Sequence, residues 1–72
     1  MTAMSFELRG EYITLDALLK ATGLAPSGGA AKVMIAEGAV QVDGTVETRR
    51  SRKLRAGVVV AVGDQTVQLQ QP

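Results

Sequence analysis

The sequence contains no cysteine, no histidine and no tryptophan. Without cysteine the chain has no disulfides and no thiol nucleophiles, and without histidine it has no imidazole for acid–base catalysis. Zinc sites built from these two residue types are excluded for the same reason. The side chains that carry most common enzymatic and metal chemistry are therefore missing.

Long apolar segments are missing as well. The sequence has no run of about 18 apolar residues, which is the length that spans a bilayer, and its first residues show no charged segment followed by an apolar one. The lack of cysteine gives no sign of an oxidising compartment. We therefore expect a cytoplasmic protein with no membrane partner.

The 72 residues leave room for one small hydrophobic core, since a second would need roughly another hundred residues. Hydrophobic residues make up 46% of the chain and charged residues 21%, which is the balance of a folded domain. We expect a single domain over residues 1–72, and we expect it to be a monomer.

Basic side chains are concentrated in one short segment. Residues 49–55 carry five of the eight lysines and arginines and no acid, so this window has a charge of +5 and the remaining chain has a charge of −4. Such a cationic patch on an acidic body indicates an anionic partner at one place, and the planar fork of arginine suits phosphate. The basic residues are Arg49, Arg50, Arg52, Lys53 and Arg55.

A basic run can also be no more than a solvated surface. Leu54 lies inside the run, and Val46 and Val58 flank it. These apolar residues favour the interpretation that the run is anchored to a sheet, which would hold its guanidinium groups in place.

The first half of the chain predicts one strand and two helices. Met4 to Leu8 alternates apolar and polar residues, as a half-buried strand does. Thr14 then precedes an apolar stripe at helical spacing, which Gly23 ends. Ser27 is the predicted N-cap of a second helix that runs to about Glu37. The predicted apolar stripes are Leu15, Leu18, Leu19 and Thr22 in the first helix, and Ala31, Met34, Ile35 and Gly38 in the second.

The second half predicts hairpins. Asp43-Gly44 separates two alternating segments, residues 39–42 and 45–48. A two-residue loop would place the apolar Val46 opposite the polar Gln41 on the same face of the hairpin. We therefore expect a three-residue bulged loop that pairs Val46 with Val42. Residues 58–62 and 66–70 predict a second hairpin around Gly63-Asp64. The resulting fold class is α+β, with two short packed helices against a small, mainly antiparallel sheet of four to five strands.

No residues form a persuasive catalytic or nucleotide site. The segment from Gly23 to Gly29 superficially resembles a nucleotide phosphate loop, but that loop needs Lys and then Ser or Thr directly after its last glycine, and Lys32 comes too late. A capping serine is the simpler interpretation, although the open amides at this positive helix end could still receive a nucleic-acid phosphate. The acids each suit a helix end, a turn or a solvated strand face, and we expect no enzyme activity, no cofactor, no metal and no small-molecule substrate. The acids considered are Asp16, Glu37, Asp43, Glu47 and Asp64.

The aromatic content and the helix side chains indicate which kind of nucleic acid the chain can recognise. Phe6 and Tyr12 are the two aromatic residues, and Phe6 is predicted to lie in the core, which disfavours the aromatic platforms that stack successive bases. No helix carries the set of side chains that reads the DNA major groove. Recognition of structured RNA by phosphate geometry and shape is the remaining nucleic-acid mode.

Several segments together resemble the alpha-L RNA-binding motif of the ribosomal protein S-four family, over about residues 12–64. They are residues 14–20 (TLDALLK), 27–38 (SGGAAKVMIAEG) and 40–44 (VQVDG). Within the family the chain is most similar to small stand-alone bacterial RNA-binding proteins, in which a segment like Glu47-Thr48-Arg49-Arg50 follows the hairpin. The resemblance implies that the second helix, the hairpin and the following loop form one RNA-facing surface.

The residues that match this motif give the predicted RNA contacts. They are Ser27, Gly28, Lys32, Arg49, Arg50, Arg52, Lys53 and Arg55. The family often has arginine after the helix-opening serine and more basic residues along that helix, whereas this chain has Gly28, Ala30 and Val33 there. Because of this departure, we expect residues 49–55 to contribute most of the RNA-binding free energy. Ribosomal and transfer RNA both remain candidate ligands, and the alternative function is a protein-interaction module that docks an acidic partner within an assembly.

Overall fold

The structure is a computed structural model that describes residues 2–72; Met1, which the predicted domain includes, lies outside the described residues. Seven strands and two helices follow one another along the chain. In order they are β1 (Thr2–Glu7), β2 (Ile13–Thr14), α1 (Leu15–Thr22), α2 (Gly28–Ala36), β3 (Val40–Val42), β4 (Thr45–Val46), β5 (Lys53–Leu54), β6 (Val59–Val62) and β7 (Gln65–Gln70).

Five of the strands form the main sheet, in the order β1-β7-β6-β3-β4. The β1–β7 pair is parallel, and the other three pairs are antiparallel. Two short strands, β2 and β5, form a separate antiparallel pair. The predicted α+β class and the mainly antiparallel sheet are confirmed, whereas the β2–β5 pair was not predicted.

One apolar core joins the two helices to the inner face of the sheet. The leucines of α1, Ala31 and Ile35 of α2, and alternate residues of the inner strands are buried together, because residues two apart in a strand share a face. The buried apolar residues are Leu8, Leu15, Leu18, Leu19, Ala25, Ala31, Ile35, Val40, Val42, Leu54, Val60, Val67 and Leu69. Across residues 2–72, neither helix has the length and apolar character needed to cross a bilayer.

The helix ends lie close to where the sequence predicted them. Gly23 follows α1 with a left-handed φ of 79° and donates its N–H to the Lys20 carbonyl at 3.2 Å. The Ser27 hydroxyl caps α2 by accepting the Ala30 N–H at 3.1 Å. Gly38 also has a φ of 79°, directly after Glu37, which is the C-cap of α2. Both predicted helices and both glycine stops are confirmed.

The predicted hairpin register is wrong. The loop has two residues, Asp43 and Gly44, and Gln41 lies opposite Val46. Asp43 has a φ of 50° and Gly44 a φ of 85°, and two positive φ values are what the tight hairpin turn requires. The mismatch that argued against this register does not arise, because Val46 is 50% exposed and shares the outer face with the exposed Gln41.

Candidate nucleic-acid interface

Residues 49–55, called here the basic segment, are anchored at Leu54. The Leu54 side chain is fully buried, and its backbone pairs with Ile13 of β2. Val58 is half-buried against the core, but Val46 is too exposed to act as an anchor. The predicted attachment to a sheet is correct for Leu54 and Val58, although the sheet that holds Leu54 is the short β2–β5 pair.

The backbone of the basic segment also closes the N-terminal end of α1. The Arg52 carbonyl accepts the Leu15 N–H at 2.9 Å, and the Arg50 carbonyl accepts the Asp16 N–H at 3.1 Å. The first N–H groups of a helix have no partner within it, and Thr14, at the N-cap position, makes no side-chain bond to them. The two carbonyls take that role, so the helix and the basic segment hold each other in place.

The nearly buried Glu47 binds two arginines of the segment, Arg49 and Arg52. Its carboxylate accepts bonds from Nη1 of Arg52 at 2.7 Å and Nη2 of Arg49 at 3.2 Å. It also accepts the backbone N–H groups of Thr48 at 3.0 Å and Arg49 at 3.2 Å. The residue is only 7% exposed. The prediction that this acid suits a helix end, a turn or a solvated strand face is therefore wrong, because Glu47 is buried and paired with arginines.

These hydrogen bonds change the acidity of the pair. The Arg49 side chain, then that of Arg52, then the Arg49 backbone N–H lower the pKa of Glu47 from 4.5 to about 2, because each bond stabilises the charged form. The same contact raises the pKa of Arg49. A single acid two positions before a run of arginines was the sequence signal for this cluster.

The basic side chains fall into two groups. Arg49 and Arg52 are held by Glu47, with side chains 71% and 38% exposed, so Arg49 still presents most of its surface to solvent. Arg50, Lys53 and Arg55 are exposed, and none of the three pairs with an acid within residues 2–72. The second group provides the uncompensated positive charge of the segment.

The remaining predicted contacts, Ser27, Gly28 and Lys32, lie where the chain enters α2 and on α2 itself. The connection to α2 follows the C-terminal end of α1, whereas the basic segment meets its N-terminal end, and a helix of eight residues is about 12 Å long. Ser27, Gly28 and Lys32 are all exposed, and no atom lies within 4 Å of the position that a Cβ on Gly28 would take. The start of α2 is therefore sterically open, while the start of α1 is occupied by the carbonyls of the basic segment.

Comparison with known proteins places this arrangement in a family. A family model described as the S4 domain matches residues 6–70. The chain belongs to the S4 domain family. The resemblance predicted from residues 12–64 is thus confirmed over nearly the whole chain.

Relatives of this S4 domain include the protein YbcJ of two bacteria. YbcJ of Escherichia coli (strain K12), named as a candidate RNA-binding protein, is 47% identical over 58 residues, which are 81% of this chain and 83% of that protein. YbcJ of Shigella flexneri has the same identity and coverage. The solution structure of E. coli YbcJ superposes with a TM-score of 0.65 at 41% identity and covers 97% of this chain and 87% of that one. That structure is described as revealing an alpha-L motif involved in RNA binding, which confirms the predicted alpha-L fold.

Proposed function

We propose that this S4 domain binds structured RNA and catalyses no reaction. Arg50, Lys53 and Arg55 are its principal phosphate contacts, and Arg49 adds a further one from its exposed guanidinium. Arg52 mainly holds the Glu47 carboxylate and so helps to fix the loop. Ribosomal RNA and transfer RNA are the ligands of this class to test first, with the protein acting as a monomer in a bacterial cytoplasm.

The observation that carries the proposal is the fixed backbone of the basic segment. Its carbonyls bond to α1 at 2.9 and 3.1 Å, and Leu54 is buried beneath it. Charged side chains on a fixed backbone lose less conformational entropy when they bind than those on a mobile tail. A rigid cationic surface matches RNA whose phosphates are themselves fixed by folding.

The open start of α2 supplies a second, weaker contact. The first amides of a helix carry partial positive charge. The Ser27 hydroxyl occupies the Ala30 N–H, but no atom lies near the Cβ position of Gly28, so a phosphate can approach the helix end there, with Lys32 one turn further along α2. α2 has no arginine and one lysine, so we assign it the smaller share of the binding free energy. The description of E. coli YbcJ as a structure with an RNA-binding motif supports an RNA ligand for this chain too.

The test is the salt dependence of RNA binding. The protein is purified from its host, the 260/280 absorbance ratio is measured before and after RNase treatment, and the clean protein is titrated with ribosomal RNA, transfer RNA and a duplex DNA control. If about four to six phosphates are contacted, the slope of log affinity against log salt is roughly −3 to −5. A slope near zero for every RNA, or tighter binding to an acidic protein than to RNA, would contradict the proposal and favour the protein-docking alternative.

Two variants sharpen the test. Replacing Arg50 and Lys53 together by alanine should reduce the magnitude of the salt slope by about 2, because each lost phosphate contact removes roughly 0.9. Gln68→Ala changes an exposed residue on the outer face of the sheet and serves as the matched control. An unchanged slope in the double variant, with its fold intact, would place the RNA elsewhere on the domain.

A further inference from the structure

Tyr12 is a large aromatic residue that the core does not use. It is 44% exposed, whereas Phe6 packs against the core. Tyr12 directly precedes β2, in which Ile13 pairs with Leu54. Because Ile13 and Leu54 turn toward the core, their chain neighbours turn toward solvent.

This register gathers cations around the exposed ring. Arg55 lies next to Tyr12 where the antiparallel β2–β5 arrangement continues, and Lys53 lies two residues from Arg55 on the same face. The Lys53 Nζ is 5.0 Å and the Arg55 Cζ 5.9 Å from the centre of the Tyr12 ring, within the range of about 6 Å for cation–π contact. Arg55 also donates to the Glu11 carbonyl at 3.4 Å, which ties its guanidinium to the segment that carries the ring.

Two surface clefts adjoin this cluster. One, of about 330 Å³, is mostly apolar and includes Tyr12, Ile13 and Phe6, with Arg9 on its wall. The other, of about 550 Å³, includes Glu11 and Arg55. The Tyr12 ring lines only the first of these open clefts. There is thus room beside the ring for a flat, partly apolar group that carries a negative charge.

We propose that Tyr12, Lys53 and Arg55 form a stacking site for one unpaired nucleotide of the bound RNA. The base stacks on the Tyr12 ring and enters the apolar cleft, and Lys53 and Arg55 turn from the ring to its flanking phosphates. A nucleotide presents a flat base and a charged phosphate. The exposed ring can stack on the base, and the neighbouring cations can pair with the phosphate. The inference rests on the proposed function and adds to it a preference for an unpaired residue next to a duplex.

The chain offers a direct reporter for this site. Tyr12 is the one tyrosine in the sequence, and there is no tryptophan, so tyrosine fluorescence reports on this ring alone. The probes are two RNA hairpins with the same stem, one blunt-ended and one with a short single-stranded adenosine extension. N-acetyltyrosinamide titrated with the same RNAs corrects for absorption of the exciting light.

We expect the extended hairpin to quench the tyrosine emission and to bind about fivefold or more tightly than the blunt hairpin, since stacking on an aromatic residue strengthens binding by at least that factor. Tyr12→Leu should bind the two hairpins with equal affinity, whereas Tyr12→Phe should keep the preference for the extended one. Val46→Thr, which changes an exposed apolar residue on β4, is the control. Circular dichroism spectra establish that each variant is folded.

Two results would overturn the inference, and they are distinguishable. If both hairpins bind equally well to wild type and Tyr12→Leu, and the extension does not quench the emission, there is no stacking site, but RNA binding stands. If neither hairpin nor any other RNA binds, the proposed function fails and the stacking site fails with it.

Discussion

The Arg52 guanidinium donates to the Glu47 carboxylate across 2.7 Å. This contact connects the residue that follows β4 to the one that precedes β5, and so it closes the base of the loop that carries the basic segment. Arg50 lies within that loop and has no such partner among residues 2–72. Two arginines two positions apart therefore have different roles, one in holding the loop and one in displaying charge.

The first prediction separates these roles. Arg52→Ala should lower the melting temperature, because the nearly buried Glu47 carboxylate loses its shortest hydrogen bond. Arg50→Ala, which removes the same charge from the same loop, should leave the melting temperature unchanged and weaken RNA binding about threefold to tenfold. Thermal unfolding and RNA titration of the two variants in one buffer provide the check. Equal melting temperatures for both variants would mean that the Glu47 cluster does not stabilise the loop.

A second prediction concerns acid stability. The pKa of Glu47 is about 2 in the folded chain against an ordinary value of 4.5, so between these pH values the unfolded chain binds more protons than the folded one. Stability from this group is complete above about pH 4.5 and is lost as the pH falls toward 2. The melting-temperature difference between wild type and Glu47→Gln should therefore be constant above about pH 5 and shrink below it. Gln68→Ala, which changes an exposed residue of β7 that does not titrate, should show no such narrowing.

Gly38 provides a third prediction, about the fold. Gly38→Val should destabilise the domain by at least about 1 kcal/mol, because a β-branched residue resists the left-handed backbone that Gly38 adopts at a φ of 79°. Gly10→Ala is the matched control, since Gly10 has no positive φ and open space around it. Urea unfolding measures both. If the valine variant is as stable as the control, the left-handed stop after α2 is not required.

The fourth prediction compares the contributions of the basic segment and of α2 to RNA binding. Replacing Arg49 and Arg50 together by alanine should weaken RNA binding at least tenfold, since two charge-assisted contacts are lost at about 1.5 to 3 kcal/mol each before losses to solvent. Lys32→Ala should weaken it only a fewfold, because one contact is lost. The opposite ranking, with both proteins folded, would place the main RNA surface along α2.

Local patterns in the sequence were enough to predict the two helices and the strands of the main sheet. The leucine stripe of α1, the Ser27 cap and the glycine at 38 each act within a few residues, so their spacing predicts the structure directly. The same holds for the alternating strands and for the family resemblance, which depends on contiguous motifs.

Contacts between distant segments could not be predicted in this way. The β2–β5 pair has two residues on each side, too few to show a period, and its register is what brings Lys53 and Arg55 to Tyr12. The hairpin at Asp43 was mispredicted because Val46 was assumed to face the core, although a lone valine can remain exposed on an outer sheet face. The buried position of Glu47 depends on Arg52, whose place is set by α1 and β5 together.

The parallel pairing of β1 with β7 has a consequence for how the molecule forms. Thr2 lies beside Gln65 and Glu7 beside Gln70, so the first strand has no partner in the main sheet until the last strand has been synthesised. Closing so long a loop is entropically costly and slows folding. On the ribosome the domain should therefore complete its sheet only after residue 70 has left the exit tunnel, and a nascent chain that stops before β7 should leave the apolar face of β1 uncovered.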